Sequence, residues 1–453
     1  MTFIVLALVS LIATSEGLSV GAVVHPLYGN GMGRGSEAVG VSAPSWGDCT
    51  VICPASTIPV GTWPSAVAVD PLNGNVYVAN LGSSTLSVIS GSTNYVVDTI
   101  PLPPAFGPQE LTVNVVNGDL LVTGTCLGPG ACPGSPVGVV SGLTESYLMT
   151  LSSNQSSGWG LAVDTATGAV YSTGPGIYEF ANGTWSSTSA VVELARGTYA
   201  VEKSITLPAE AVGMIYDPAN SDIYTGSPWS SYGPGNVSVI STATNSELSS
   251  FALPGNSSEF EFVLNSLSGD LYVVTAGIGI GSSDAVTVVS GSVNASTLKV
   301  PMNLTGGFQG AFDPTNGRLY LSDPDSGVVA VLAVLGDRIA PVASVPAPPG
   351  QLAVDSLNGD VFVANTSSNS VSEISGASNE VVFTVPVGLH PSAMVFDATN
   401  GRLYVVNEQS GTVTVIPTLV PSFHSVSWVV MLAFGSAPPA VLIALAVRGI
   451  RRR

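Results

Sequence analysis

Three histidines and four cysteines are all the imidazole and thiol that this chain of 453 residues offers for catalysis or metal ligation. His25 lies near the N-terminus, His390 precedes Pro391 in a turn, and His424 abuts an apolar run. Side chains so dispersed do not make a metal trio or a catalytic relay, which gather three or four groups on one site. No Gly-x-Ser-x-Gly elbow, phosphate-cradling loop or His-Glu-x-x-His helix occurs. Carboxylates are the abundant functional group. Asp70, Asp164, Asp217, Asp313, Asp355 and Asp397 recur in one setting. As a ring they would bind Ca²⁺; as turn residues each caps its own hairpin, which the Asn-Gly pairs beside most of them favour. Asp323-Pro324-Asp325 is the candidate for an isolated cation contact, although Asp-Pro-Asp is also an ordinary surface turn. Trp229 and Tyr232, in the Gly/Pro/Ser-rich stretch 226–235, are the candidates for exposed binding contacts. No catalytic residue, resident metal or cofactor is assigned, and the small-molecule ligand stays open.

The elements that position these residues follow from composition and repetition. Only 9% of the chain is charged, while 45% is hydrophobic and 51 residues are Gly. Sparse charge with abundant Gly argues against coiled coils and helical bundles, and the hydrophobic content argues against general disorder. The net charge is −19, and four of the eleven basic residues (Arg448, Arg451, Arg452, Arg453) fall in the last six positions. The rest of the chain sets seven basic against thirty acidic groups, which repels phosphate backbones and excludes nucleic acid as a partner. Thirty carboxylates and two lysines (Lys203, Lys299) suit either an acidic medium or high salt.

The two ends predict a compartment. Residues 3–13 form an uncharged apolar run, short for a bilayer span and of signal-peptide length. Cleavage after Ser15 is expected, with an uncleaved anchor as the alternative and residues 16–48 as a lead. Residues 426–447 are uncharged and span about 33 Å as a helix, enough to cross a bilayer. The linker 418–425 precedes them, and the basic tail 448–453 marks the cytoplasmic side. The body of the chain between the two ends is therefore expected outside the cell, with the membrane as a partner through this helix. Glycosylation acceptors at Asn154, Asn182, Asn236, Asn256, Asn294, Asn303 and Asn365 agree with that placement. Cys49/Cys53 and Cys126/Cys132 read as two local disulfides in an oxidising compartment. One zinc site is the rival, although neither pair has a zinc-knuckle spacing.

One phrase occurs eight times between residues 49 and 417. It begins as Asp70-Pro-Leu-Asn-Gly74-Asn-Val-Tyr77 and is cleanest at Asp313–Tyr320, Asp355–Phe362 and Asp397–Tyr404. Asp caps a turn, Asn-Gly supplies positive φ, and β-branched and aromatic residues resume a strand. Ser221 replaces Gly in the fourth copy, where a looser turn is expected. Each unit reads as four strands, in the first Ser65–Val69, Asn75–Ala79, Thr85–Ser90 and Tyr95–Ile100. The fold class is all-β: a β-propeller of four-stranded blades plus one C-terminal transmembrane helix. Eight blades follow if every copy is complete; seven is the alternative, because copies two and three diverge most. The last unit lacks a fourth strand after Pro417, and residues 51–64 resemble the missing piece, so an N-terminal strand closes the ring.

Tyr77-Val-Ala-Asn80, Phe362-Val-Ala-Asn365 and Tyr404-Val-Val-Asn407 resemble the YVTN β-propeller repeat of YncE-like and archaeal surface-layer proteins. Tyr171-Ser-Thr-Gly174, Tyr224-Thr-Gly-Ser227 and Tyr320-Leu-Ser-Asp323 depart from it. The resemblance implies an extracytoplasmic or cell-surface role without an assigned reaction. The expected function is a non-catalytic, membrane-anchored surface propeller that binds or scaffolds envelope proteins, glycans or neighbouring copies. The alternative is a lactonase-like or lyase-like enzyme acting at the channel mouth.

Overall fold

The structure is a computed structural model. It describes residues 9–14, 17–22, 56–127, 136–151, 160–174, 177–181, 184–207, 211–227, 235–253, 260–275, 285–290, 294–299, 309–323, 327–335, 338–348 and 350–418. The chain divides into two units, Met1–Cys53 and Pro54–Arg453. In the first, Val9–Thr14 and Gly17–Ala22 pair as an antiparallel hairpin. Residues 426–447 lie outside the described residues, among which no helix is long and apolar enough to cross a membrane.

The second unit is an eight-bladed propeller of antiparallel sheets. Blade 1 comprises Pro64–Asp70, Asn75–Asn80, Thr85–Ser90 and Val96–Pro101, within one residue of the expected strands. Blades 2 to 7 follow in chain order with the same meander, and the divergent second and third copies are full blades. Blade 3 adds a hairpin extension, where the long strand Thr184–Leu194 also pairs with Ile177–Ala181. Blade 8 joins the two ends of the ring. Pro391–Asp397, Arg402–Asn407 and Thr412–Pro417 come from its C-terminal end, and Ser56–Pro59 pairs with Thr412–Val415 as the fourth strand. The expected N-terminal closure is thus present, and it covers an edge that would otherwise be open to pairing.

The hydrophobic core lies between blades rather than in one centre. Val263, Tyr272 and Val286 of blade 5 pack on Leu319, Leu321 and Leu332 of blade 6. Across the closure, Ile58, Tyr404 and Val413 of blade 8 pack on Val76, Val78 and Ile89 of blade 1. Second and third strands read as continuous apolar runs because both of their faces meet a neighbouring blade. In blade 1 they are buried at nearly every position. The fourth strand of that blade is largely exposed, Val96 and Val97 included.

The repeated phrase is a four-residue loop that closes through a bond from residue i+4 back to the Asp carbonyl, as in Gly74 N–H to Asp70 O at 2.9 Å. Only the glycine, not the asparagine before it, adopts positive φ. Ser221 takes φ 61°, and its N–H reaches Asp217 O at 2.9 Å, matching the glycine copies. The expected loosening does not occur. Bonds from the aspartate and Asn220 hold the loop, and they outweigh the cost of about 1–2 kcal/mol for a left-handed non-glycine residue.

Candidate functional site

The six repeated aspartates are turn caps, as the turn reading expects. Each accepts the backbone N–H two residues on, at 2.8–2.9 Å, through its Oδ1. All six are buried, between 0 and 4% exposed. The rest of the phrase clamps one blade to the next. Asn73 Nδ2 donates to the Tyr77 hydroxyl at 2.9 Å, and both groups reach Gly142 O of blade 2 at 3.3 Å. Asn316 and Asn400 reach Gly376 O and Gly91 O in the same way, at 3.2 Å. In blade 2 the tyrosine position is Leu121, and Tyr199 of blade 3 fills that seam instead, donating to Asp119 Oδ2 at 2.6 Å.

The asparagines that end the second strands are structural as well. Asn80, Asn365 and Asn407 each donate to two hydroxyls across the following hairpin, at 2.9–3.1 Å. Asn365 is 1% exposed. A glycan needs a side-chain nitrogen open to solvent, so the expectation for Asn365 is corrected: its acceptor pattern coincides with a repeat residue that locks a hairpin. Asn236 is half-buried and donates to Ser250 Oγ at 3.1 Å. The side chain of Asn294 and all of Asn154, Asn182, Asn256 and Asn303 lie outside the described residues.

Of the other candidates, Trp229, Tyr232, Asp325, Cys49, Cys53, Cys132, His25 and His424 lie outside the described residues. Asp323 ends the second strand of blade 6. Cys126 ends the second strand of blade 2, half-buried, with its sulfur engaged rather than a free thiol. His390 is the expected turn residue, at φ 58°, with Nδ1 2.9 Å from Glu408 Oε2. Among the described residues no group of three or more His, Cys, Asp or Glu is placed to hold a metal ion.

One concave feature among the described residues is the central channel. A cavity of about 600 Å³ is lined by the innermost strands of blades 1, 2, 6, 7 and 8, with Ser65, Gln109, Glu110, Thr112, Gln309 and Gln351 supplying polar groups. Gln351 is fixed by accepting the Met394 N–H. Ser65 donates to Pro108 O at 2.8 Å, which ties blade 1 to blade 2 at the channel wall. Glu261, on the innermost strand of blade 5, is not part of this lining but interacts with Glu110 and with the Gly310 N–H beside Gln309. Burial, with repulsion from Glu110, pushes its carboxyl up to about 7, although the Gly310 N–H pulls it down.

None of these channel residues was singled out from sequence. A signal existed, however. Four positions before the turn residue, successive copies read Ala66, Glu110, Gly160, Gly213, Glu261, Gln309, Gln351 and Ala393. A column that is small or polar inside otherwise apolar strands is what a channel wall requires. The repeated phrase drew attention to the neighbouring turn instead.

No family model matches the chain, and no curated protein matches it in sequence. Solved structures do resemble it. The hydrazine synthase of Kuenenia stuttgartiensis superposes with a TM-score of 0.51 at 15% identity, over 79% of this chain and 96% of that one. A catalytically inactive virginiamycin B lyase from Staphylococcus aureus, solved with quinupristin, gives 0.46 at 12% identity, over 81% and 99%. A eukaryotic initiation factor gives 0.49 at 14%, over 78% and 84%. Likeness at such identities speaks for a shared fold alone.

Proposed function

We propose that this chain is a membrane-tethered propeller displayed outside the cell, where it binds or scaffolds envelope proteins, glycans or neighbouring copies. Its binding site is the polar stretch of the central channel. The observation that carries this reading is the cavity of about 600 Å³ with convergent Gln, Glu, Ser and Thr side chains. Pockets with a few convergent polar groups are where ligands are expected. The tether is residues 426–447, and the arginine-rich end orients it with the ring outside. Outside the cytosol, Cys49 with Cys53 and Cys126 with Cys132 pair as local disulfides, and the sequons other than Asn365 carry glycans.

Two treatments of intact cells test the placement. Added protease is expected to release the ring from whole cells, and alkaline carbonate is expected to leave the full chain in the membrane pellet. A chain protected from protease, or washed off by carbonate, would overturn the reading. Glu261 favours a second reading, a lactonase-like or lyase-like reaction in the channel. A carboxyl that exchanges its proton near neutrality is suited to general acid–base work.

A further inference from the structure

At the turn-capping position, the eight copies of the phrase differ in one atom. Blades 2 and 5 carry Asn114 and Asn265 where the others carry aspartate. In each, Oδ1 makes the same turn bond as the aspartates, to Val116 N at 3.1 Å and Leu267 N at 3.0 Å. The other atom, Nδ2, therefore marks what the seam asks of that position. It donates: Asn114 Nδ2 to Gly168 O of the next blade at 2.9 Å, and Asn265 Nδ2 to the Tyr272 hydroxyl at 3.2 Å.

In Asp70, Asp217, Asp313, Asp355 and Asp397 an oxygen replaces that donor, and this Oδ2 is buried with no hydrogen-bond partner. It points at the next blade. A Cβ on Gly142 or Gly118 of blade 2 would lie 3.2 or 3.4 Å from Asp70 Oδ2, and one on Gly269 of blade 5 would lie 2.9 Å from Asp217 Oδ2. A buried, ionised oxygen without a donor costs several kcal/mol, which a proton removes. Asp164 is the contrasting case. Burial opposes its ionisation, but the Thr167 hydroxyl at 2.7 Å and two backbone N–H groups outweigh it and hold the carboxyl below its ordinary range.

Blades 6 and 8 place Arg318 and Arg402 in the same seams, on Gly376 O and Gly91 O. The seams of blades 1, 4 and 7 add acids or neutral groups instead. Asp70 lies beside Tyr77, which Glu145 of blade 2 also approaches, with Asp98 beyond. Asp217 lies beside Asp222 and Tyr224 and faces Asp270 of blade 5. Asp355 lies beside Asp360 and Glu373, and Thr418 of blade 8, whose hydroxyl donates to Gly401 O at 3.0 Å, is also within hydrogen-bond reach of the Asp355 carboxyl and pulls it down, against the larger effect of burial.

We infer that Asp70, Asp217 and Asp355 take up a proton more readily in the folded ring than in the unfolded chain and give it through Oδ2 to the next blade, so that three seams tighten as the pH falls. Burial raises all three carboxyls above 3.8, and it lifts Glu373 beside Asp355 to about 8, with repulsion from Asp360 adding to it. The sign follows from linkage. A proton held more tightly by the folded ring than by the unfolded chain adds stability that is complete below the ordinary value. That stability is lost as pH rises through the raised one.

Thermal melting of the full chain in detergent micelles tests this. The wild type is expected to melt higher at about pH 4 than at about pH 7. The triple variant D70N/D217N/D355N supplies a permanent donor at each seam. It should raise Tm at the neutral end and flatten the profile, whereas D313N/D397N leaves the profile's slope in place. If the triple variant does not fold, D70N alone is read for the same flattening. Infrared difference spectra at about pH 5 should also show a carboxylic-acid carbonyl band that is stronger in the wild type than in the triple variant. An unchanged slope in the Asn variants, absence of that band, or a wild-type Tm that falls on chelation of divalent cations would overturn the inference.

Discussion

Ile58→Asp is expected to open the ring. Ile58 is 5% exposed and packs between Val413 and Val415 of its own blade and the strands of blade 1. It belongs to the only strand of blade 8 drawn from the N-terminal side, four residues long. Truncation of such a residue to Ala costs about 2–5 kcal/mol. A carboxylate there adds the cost of burying a charge without a partner. Once Ser56–Pro59 detaches, Thr412–Pro417 presents an unpaired edge, so aggregation accompanies the loss of stability. Thr57→Asp is the matched control, because Thr57 faces solvent in the same strand, and surface changes stay within about 0.5 kcal/mol. Melting and size-exclusion profiles decide: the Ile58 variant should melt roughly 10 °C or more below the control and elute partly as aggregate. Equal melting of the two variants would mean that this strand does not close the ring.

The second large effect lies at an inter-blade seam. Tyr320 is fully buried and sits among Val345, Leu352, Val361 and Ile374, so one blade's tyrosine fills the space of the next. Tyr320→Ala leaves a cavity there and should cost about 3–5 kcal/mol. Tyr320→Phe should cost less, about 1–2 kcal/mol, since it keeps the packing and loses the hydroxyl's bonds from Asn316 Nδ2 at 3.0 Å and from Arg318. Blade 7 already uses Phe362 at the same place in the repeat. Denaturant unfolding of both variants checks the ratio. If Phe costs as much as Ala, the seam depends on the hydroxyl network rather than on packing.

Much of the architecture was legible because the repeat states it eight times. Asp caps, turn glycines and apolar second and third strands lie at fixed intervals, so the first blade's strands were placed within one residue and the closing strand was found by likeness to Val381–Pro386. The site was less legible for the same reason. The strong signal belongs to residues that join blades, and the channel column differs from copy to copy. Asn365 shows the opposite error, where a short pattern suggests a surface modification and the fold turns the residue inward. Glu261 was invisible from sequence because its shift comes from burial and from Glu110, roughly 150 residues away along the chain.

The binding role is tested most directly by an experimental structure of the full chain purified from its native source. The account predicts a bound molecule in the central channel, held by Gln109, Glu110, Gln309 and Gln351, and its absence from the E110A/Q309A variant. A channel filled by the chain's own side chains, or by water alone, would contradict it.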